Sequence, residues 1–433
     1  MSAPAAQIAY GKGRLALELD PCLAEWHVIS PRDEPALPDP HGSLSEACRS
    51  PIASPPLRDR IRPRDRVVLV TCDGTRPLPN HLLIPWLIEE LAGAGACGLA
   101  PEQVTVLLGT GTHRPNTAGE IERMFGAEVA RRVRIVNHDA FHPDQNEQVG
   151  TTRSGVPVFL DKTYVRADRR IAVGFIEPHF FAGFSGGAKA IAPGVASIET
   201  ILALHSYGLI ADPRSTWGVL EENPIQGLIA EMVALCPPDF LVNVTLNREK
   251  AITAFFAGDY RTAHRVGCAH VRARAMVPVP RQFPLVVTSN SGYPLDQNLY
   301  QSVKGVSAAA RIVQPGGTVI IASECSDGVP AHGNFGAILQ QGDTIDDVDA
   351  RLRALPSPVL DQWEAQVLVQ VRKRCEVALY SQLDADTVRA CKLTPVEDLN
   401  RHLAERIRAV GIGAPVAVLP EGPLTIPYAE PDA

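Results

Sequence analysis

The stretch RVVLVTCDGTRPLP, residues 66–79, opens with a run of β-branched and apolar residues, breaks off at Cys72, and continues as Asp73, Gly74, Thr75, Arg76 and two prolines. A short apolar run bounded by polar residues reads as a strand buried on both faces. Pro77 and Pro79 prevent it from continuing, so DGTRPLP is a loop. The same order recurs in VTVLLG (104–109) before GTHRP, in VRIV (133–136) before NHDAFHPD, and in RIAVGFI (170–176) before EPHFFAGFSGG. Between the first two strands, HLLIPWLIEELAGAG has the look of a helix. Strands alternating with helices predict an α/β fold with a Rossmann-like, largely parallel sheet flanked by helices. Ligands of such sheets collect beyond the carboxyl ends of the strands, where this chain places Asp73, Arg76, His113 and His179.

Further along, PLVVTSN (284–290), a helical stretch within GYPLDQNLYQSVKGVSAAARIV, and GGTVIIASE (316–324) repeat strand, helix, strand. They predict a second domain of the same kind. The polar, Arg-rich stretch HRVGCAHVRARA places the boundary near residue 275. The expected division is 1–275 and 276–433, with a return of the final segment to the first domain left open and the active site in the interdomain cleft. Residues 30–64 carry eight prolines and read as a wrapping arm without a long helix or inner strand.

The 433 residues are 45% apolar and 21% charged, which excludes a disordered chain and a coiled coil. With 41 basic and 48 acidic residues the net charge is −7, so electrostatic binding to nucleic acid or to an anionic membrane is not expected. No apolar run approaches the roughly 20 residues that cross a bilayer, and MSAPAAQIAYGKG lacks a hydrophobic signal core. Nine cysteines without a CxxC pair suit reduced thiols. A cytoplasmic protein acting on a small molecule is the expectation.

Several residues stand out, each with a plainer alternative. GTGTHRP (109–115) is either a glycine-rich anion cradle or an ordinary strand-to-loop turn. GFIEPHFFAGFSGGAKAIAPG (174–194) surrounds His179 and Lys189 with five glycines and two prolines, a composition that lets backbone approach a ligand closely. Lys189 is then a covalent or phosphate-binding lysine, or a solvated one at a helix start. In SIETILALHS (197–206), His205 shares the apolar face of Ile198, Ile201 and Leu202, either as a core histidine or as a metal ligand. Gln301 and Lys304 lie three apart at a helix start and can hold a carboxylate or form a surface pair. Trp363 of DQWEAQ can cap a core edge.

Taken in order, SPPLRDRI, DGTRPLP, GTGTHRP, NHD, PHFFAGFSGGAKAIAPG, LHS, LYQSVKG, DQWEAQ and VAVLPEGPLTIPY (416–428) resemble the nickel-dependent lactate racemase family over most of the chain. The steps from His179 to Lys189 and on to His205 match the family spacing. The resemblance implies a racemase or epimerase of 2-hydroxyacids that works by proton-coupled hydride transfer to a nickel pincer nucleotide through a 2-keto acid. It also implies residue roles. Arg76 grips the substrate carboxylate and Asp73 helps arrange the site around the cofactor. His113 and His179 are general acid and base, Lys189 carries the cofactor covalently, and His205 binds nickel. Tyr300, Gln301 and Trp363 line the cofactor, with Lys304 towards substrate.

Lactate-acting members carry an arginine before that lysine and a serine after it; here Ala188 and Ala190 take those places, which points to a larger 2-hydroxyacid. The cofactor implies separate biosynthetic proteins as suppliers. Two alternatives are a nicotinamide-dependent 2-hydroxyacid dehydrogenase, for which the GxGxxG turn is lacking, and a non-catalytic cofactor-binding protein, which would need no pair of histidines.

Overall fold

The computed structural model describes residues 5–92, 98–331 and 333–429. Cys97 and the last three residues, 93–95, of the helix expected over 81–95 lie outside them. The chain divides into two units. One, here the Lys189 unit, comprises Asp33–Leu204 and Gly218–Ala273. The other, the His205 unit, comprises Met1–Arg32, His205–Trp217 and Arg274–Ala433.

The Lys189 unit holds a six-stranded sheet. Its spatial order is Ile252–Gly258, Phe240–Leu246, Arg169–Phe175, Val67–Cys72, Val104–Gly109 and Arg134–Asn137. All neighbours are parallel except the first pair. Numbered along the chain this is 6-5-4-1-2-3, the doubly wound order, whose switch point lies between Val67–Cys72 and Arg169–Phe175. The strands form because their Val, Ile and Leu residues are buried on both faces; Val68, Leu69, Val106, Ile171 and Val242 have no measurable exposure. Leu83, Leu87 and Leu91 of the Asn80–Ala92 helix cover one side of the sheet. Each such side chain contributes roughly 1.5–3 kcal/mol by leaving water.

The His205 unit holds a second six-stranded sheet, parallel throughout. Its order is Thr394–Val396, Glu376–Tyr380, Val313–Ala322, Phe283–Ser289, Pro415–Leu419 and Glu25–Val28. The division therefore differs from a single boundary near 275. Residues up to Arg32 join the later part of the chain because Glu25–Val28 pairs with Pro415–Leu419 as an edge strand. The final strand, Ile426–Ala429, pairs with Met276–Val279 in this same unit.

The proline-rich arm differs from its reading. Pro40–Arg49 is a ten-residue helix, with Pro40 in its first turn and the Asp39 side chain accepting the Gly42 N–H. A proline there removes no helical hydrogen bond. HRVGCAHVRARA also proves regular, as most of the Thr262–Ala275 helix. Among the described residues no helix is long and apolar enough to cross a membrane.

Candidate active site

Where Val67–Cys72 ends, Asp73 turns back into the protein and is 2% exposed. One carboxylate oxygen accepts the Thr75 N–H (3.1 Å) and hydroxyl (2.6 Å); the other lies 2.7 Å from His113 Nδ1. Burial alone raises the Asp73 pKa. The hydrogen bond and charge of His113, with Arg76 and the Thr75 hydroxyl, outweigh burial and hold the carboxyl below its usual range. An ionised carboxylate only accepts, so His113 Nδ1 donates to it and the neutral ring presents its lone pair at Nε2. The His113 side chain remains 39% exposed, and Arg76 is exposed in the same turn.

The GTGTHRP loop is held inward. The Gly111 N–H donates to the Gly194 carbonyl and the His113 N–H to that of Thr110. Those amides are consumed by the fold and do not face an anion.

After Arg169–Phe175 the chain makes a small hairpin, Pro178–His179 against Gly183–Phe184. Gly183 has φ +75°, and a side chain there would run into the Val219 carbonyl. In the hairpin His179 Nδ1 accepts the backbone N–H groups of Ala182 (3.2 Å) and Phe181 (3.5 Å). Its ring stacks on Phe180 with centroids 4.8 Å apart and meets Phe181 edge-on at 4.5 Å. Lys189 follows in a single 3-10 turn, Gly187–Ala190, its ammonium 5.9 Å from the centroid of Phe181. His179 and Lys189 thus share one aromatic neighbour.

Two further residues hold that turn, and neither stands out in the sequence. Asn243, fully buried in Phe240–Leu246, accepts the Gly187 N–H at 2.8 Å. His264 lies with Nε2 2.8 Å from the Ser185 carbonyl. A carbonyl accepts only, so that nitrogen carries the proton. Burial pushes the His264 pKa down to about 4, and the ring is neutral.

In the other unit His205 comes directly after the Ile198–Leu204 helix and is 8% exposed. Its ring lies 4.3 Å from that of Trp363, whose indole N–H donates to the Tyr300 hydroxyl at 3.0 Å. The Gln362–Arg372 helix aligns three glutamine amides with the carbonyls of the passing segment: Gln362 to His205 (3.4 Å), Gln366 to Tyr207 (2.9 Å) and Gln370 to Ile210 (3.5 Å). Asn298 caps the Leu299–Ala309 helix, where Lys304 donates to Gln301 Oε1 at 2.8 Å. The residues singled out in the sequence therefore gather as Asp73 with His113 and Arg76, His179 with Lys189, His205 with Trp363 and Tyr300, and Gln301 with Lys304.

The lactate racemase N-terminal domain model matches residues 10–218, and the lactate racemase C-terminal domain model matches 280–426. The lactate racemase of Thermoanaerobacterium thermosaccharolyticum is 34% identical over 96% of this chain and 97% of its own. The chain belongs to the lactate racemase family. It is an isomerase of the racemase type, and the dehydrogenase reading gives way. The Lactiplantibacillus plantarum lactate racemase is 34% identical over 88% of this chain and 91% of its own. The solved lactate racemase apoprotein from Thermoanaerobacterium thermosaccharolyticum superposes with a TM-score of 0.90 at 33% identity, covering 98% of this chain and all of that one. A Thermotoga maritima protein at 19% identity shares the fold alone, with a TM-score of 0.68 over 90% of this chain and 97% of that one. Asn243 and His264 fall between the spans that the two lactate racemase domain models match.

Proposed function

We propose that this racemase interconverts the stereoisomers of a 2-hydroxyacid with a nickel pincer nucleotide bound through Lys189 and His205. The observation that carries the acid–base part is the buried Asp73 carboxylate 2.7 Å from His113 Nδ1, at the loop ends of adjacent strands. Among the described residues no group of three or more His, Cys, Asp or Glu can hold a metal ion. A nickel centre on this chain therefore has to bring most of its ligands with it, as a pincer does, and take one from the protein. The buried imidazole of His205 beside Trp363 suits that single ligand, and Lys189 in its glycine-flanked turn suits attachment, so the residues fit the group.

When bound, the group would supply the acceptor that takes hydride from the substrate carbon and returns it. The remaining steps belong to the chain. Arg76 presents a planar fork that binds a carboxylate by two parallel hydrogen bonds. His113 takes the hydroxyl proton at Nε2, and Asp73 stabilises the imidazolium that results. His179, fixed between Phe180 and Phe181, serves the opposite face of the substrate, where it can deliver or take the hydroxyl proton. Tyr300, Gln301 and Trp363 line the cofactor on the side of His205, and Lys304 lies towards substrate. Separate biosynthetic proteins supply the cofactor in a cytoplasmic setting.

The relatives are named for lactate. Ala188 and Ala190 beside Lys189 leave that lysine without a charged neighbour in sequence, which favours a larger 2-hydroxyacid. The test is to produce the chain together with cofactor-making enzymes and measure intact mass and nickel. An adduct mapped to Lys189 with about one nickel per chain is expected, followed by loss of optical rotation with an enantiopure 2-hydroxyacid. The screen sets lactate against malate, branched and aromatic members. A chain that stays bare while a family member loads in parallel would sink the reading.

A further inference from the structure

We infer that Asn243 and His264 are positioning residues for Lys189, holding the Ser185–Gly187 backbone from beneath so that the lysine meets its cofactor in one fixed place. The inference rests on the proposed role of Lys189. An asparagine in the middle of the apolar strand FLVNVTL is costly to bury unless its amide is bonded on both sides. Both sides are bonded: Oδ1 accepts the Gly187 N–H, and Nδ2 donates to the Val242 carbonyl at 3.2 Å. Removing Asn243 leaves the N–H of a buried glycine without that acceptor.

His264 approaches the same turn from the Thr262–Ala275 helix. It donates to Ser185, and its ring lies flush with the backbone of Gly187, where an added Cβ would come within 2.5 Å of Cγ. Gly187 also has φ +57°. The turn thus needs glycine for its conformation and again for the closeness of the imidazole. Neutrality of the ring matters too, because the Lys189 charge acts against a second cation there. Cys268, one helical turn on, places its Sγ 3.3 Å from His264 Nε2 and stays a thiol because burial raises its pKa. Two buried polar side chains converge on the Ser185–Gly187 backbone, which only Ala188 separates from Lys189, and this is the arrangement expected of support for an attachment point.

The experiment follows adduct formation in the full chain produced with the cofactor-making enzymes, by intact mass over time and peptide mapping, alongside thermal melting. His264→Leu and Asn243→Leu are expected to load at least about tenfold more slowly than the parent while still melting cooperatively. His264→Gln, whose amide can donate to Ser185, should recover most of the rate, as should Asn243→Asp, which keeps an acceptor for Gly187. Loading of the leucine variants at the parent rate would overturn the inference. So would glutamine and aspartate variants as slow as leucine while folded. If one leucine variant fails to fold, the pair at the other position is read in the same way. A parent chain that never loads removes the role of Lys189 itself, whereas a loaded parent with equally loaded variants removes only the positioning role.

Discussion

His113 and His179 follow strands of the same sheet, yet their rings are held by opposite chemistry. His113 donates its Nδ1 N–H to a buried carboxylate, so the neutral ring offers its lone pair at Nε2. His179 Nδ1 instead accepts two backbone N–H groups, so its neutral form carries the proton on Nε2, and a cationic ring would turn a donor towards donors. Two aromatic rings replace the carboxylate as its support. The difference teaches that two histidines given the same role by resemblance are held in opposite tautomers. For a racemase the two substrates have equal free energy, so kcat/KM must agree in the two directions. The contrast has to appear in single turnovers and in kcat and KM taken apart.

The largest effect should come from the histidines themselves. His113→Asn and His179→Asn should each lower racemisation by roughly 10²–10⁴-fold. In single turnovers each variant should form 2-keto acid from one enantiomer only, and the two variants from opposite ones; the same enantiomer for both would break the comparison. Asp73→Asn comes next, with kcat reduced on the order of 10²-fold, because an amide no longer dictates the His113 tautomer or stabilises its cation. The same variant has a stability signature. The Asp73 carboxyl is held low in the folded chain, so its contribution is complete above about pH 4 and is lost as pH falls through the folded value. Melting of Asp73→Asn against pH should therefore be flatter on the acid side than that of the parent. The smallest effect is expected from Phe180→Leu, which removes a stacking partner worth roughly 0.5–1.5 kcal/mol and should lower kcat about three- to tenfold with little change in KM. An equal fall in His113-dependent single turnovers would show that the two supports are not separate.

Much of the fold was legible because buried parallel strands are short apolar runs that stop at polar residues. VTVLLG is the strand Val104–Gly109, and RVVLVTC differs from Val67–Cys72 by one residue. The misses have physical causes. The Pro40–Arg49 helix hid behind prolines counted as breakers, though Pro40 occupies the one turn that tolerates it. The Thr262–Ala275 helix hid because its buried face is Ala263, His264, Gly267, Cys268 and Val271, with hardly a large apolar residue to mark the period. Of the candidate site, Asp73, Arg76, His113, His179 and Lys189 were visible at strand ends and among glycines. Asn243 and His264 were not, because they act on backbone far away in sequence and leave no spacing to read. The glutamines 362, 366 and 370 did leave one, a repeat of four along a helix, although only Trp363 drew notice there.

That glutamine row has a consequence for how the protein can vary. Gln362, Gln366 and Gln370 recognise the segment after Leu204 through carbonyl oxygens, which are alike whatever side chain is attached. Position is thereby uncoupled from identity. Ser206, Gly208 and Leu209 can be exchanged without disturbing those bonds, and Gly208 has open space where a Cβ would stand. A saturation library at 206, 208 and 209 should be unusually permissive, while the same library at 362 and 366 should be depleted. Inheritance can rewrite the text around the imidazole and still leave the imidazole in its place.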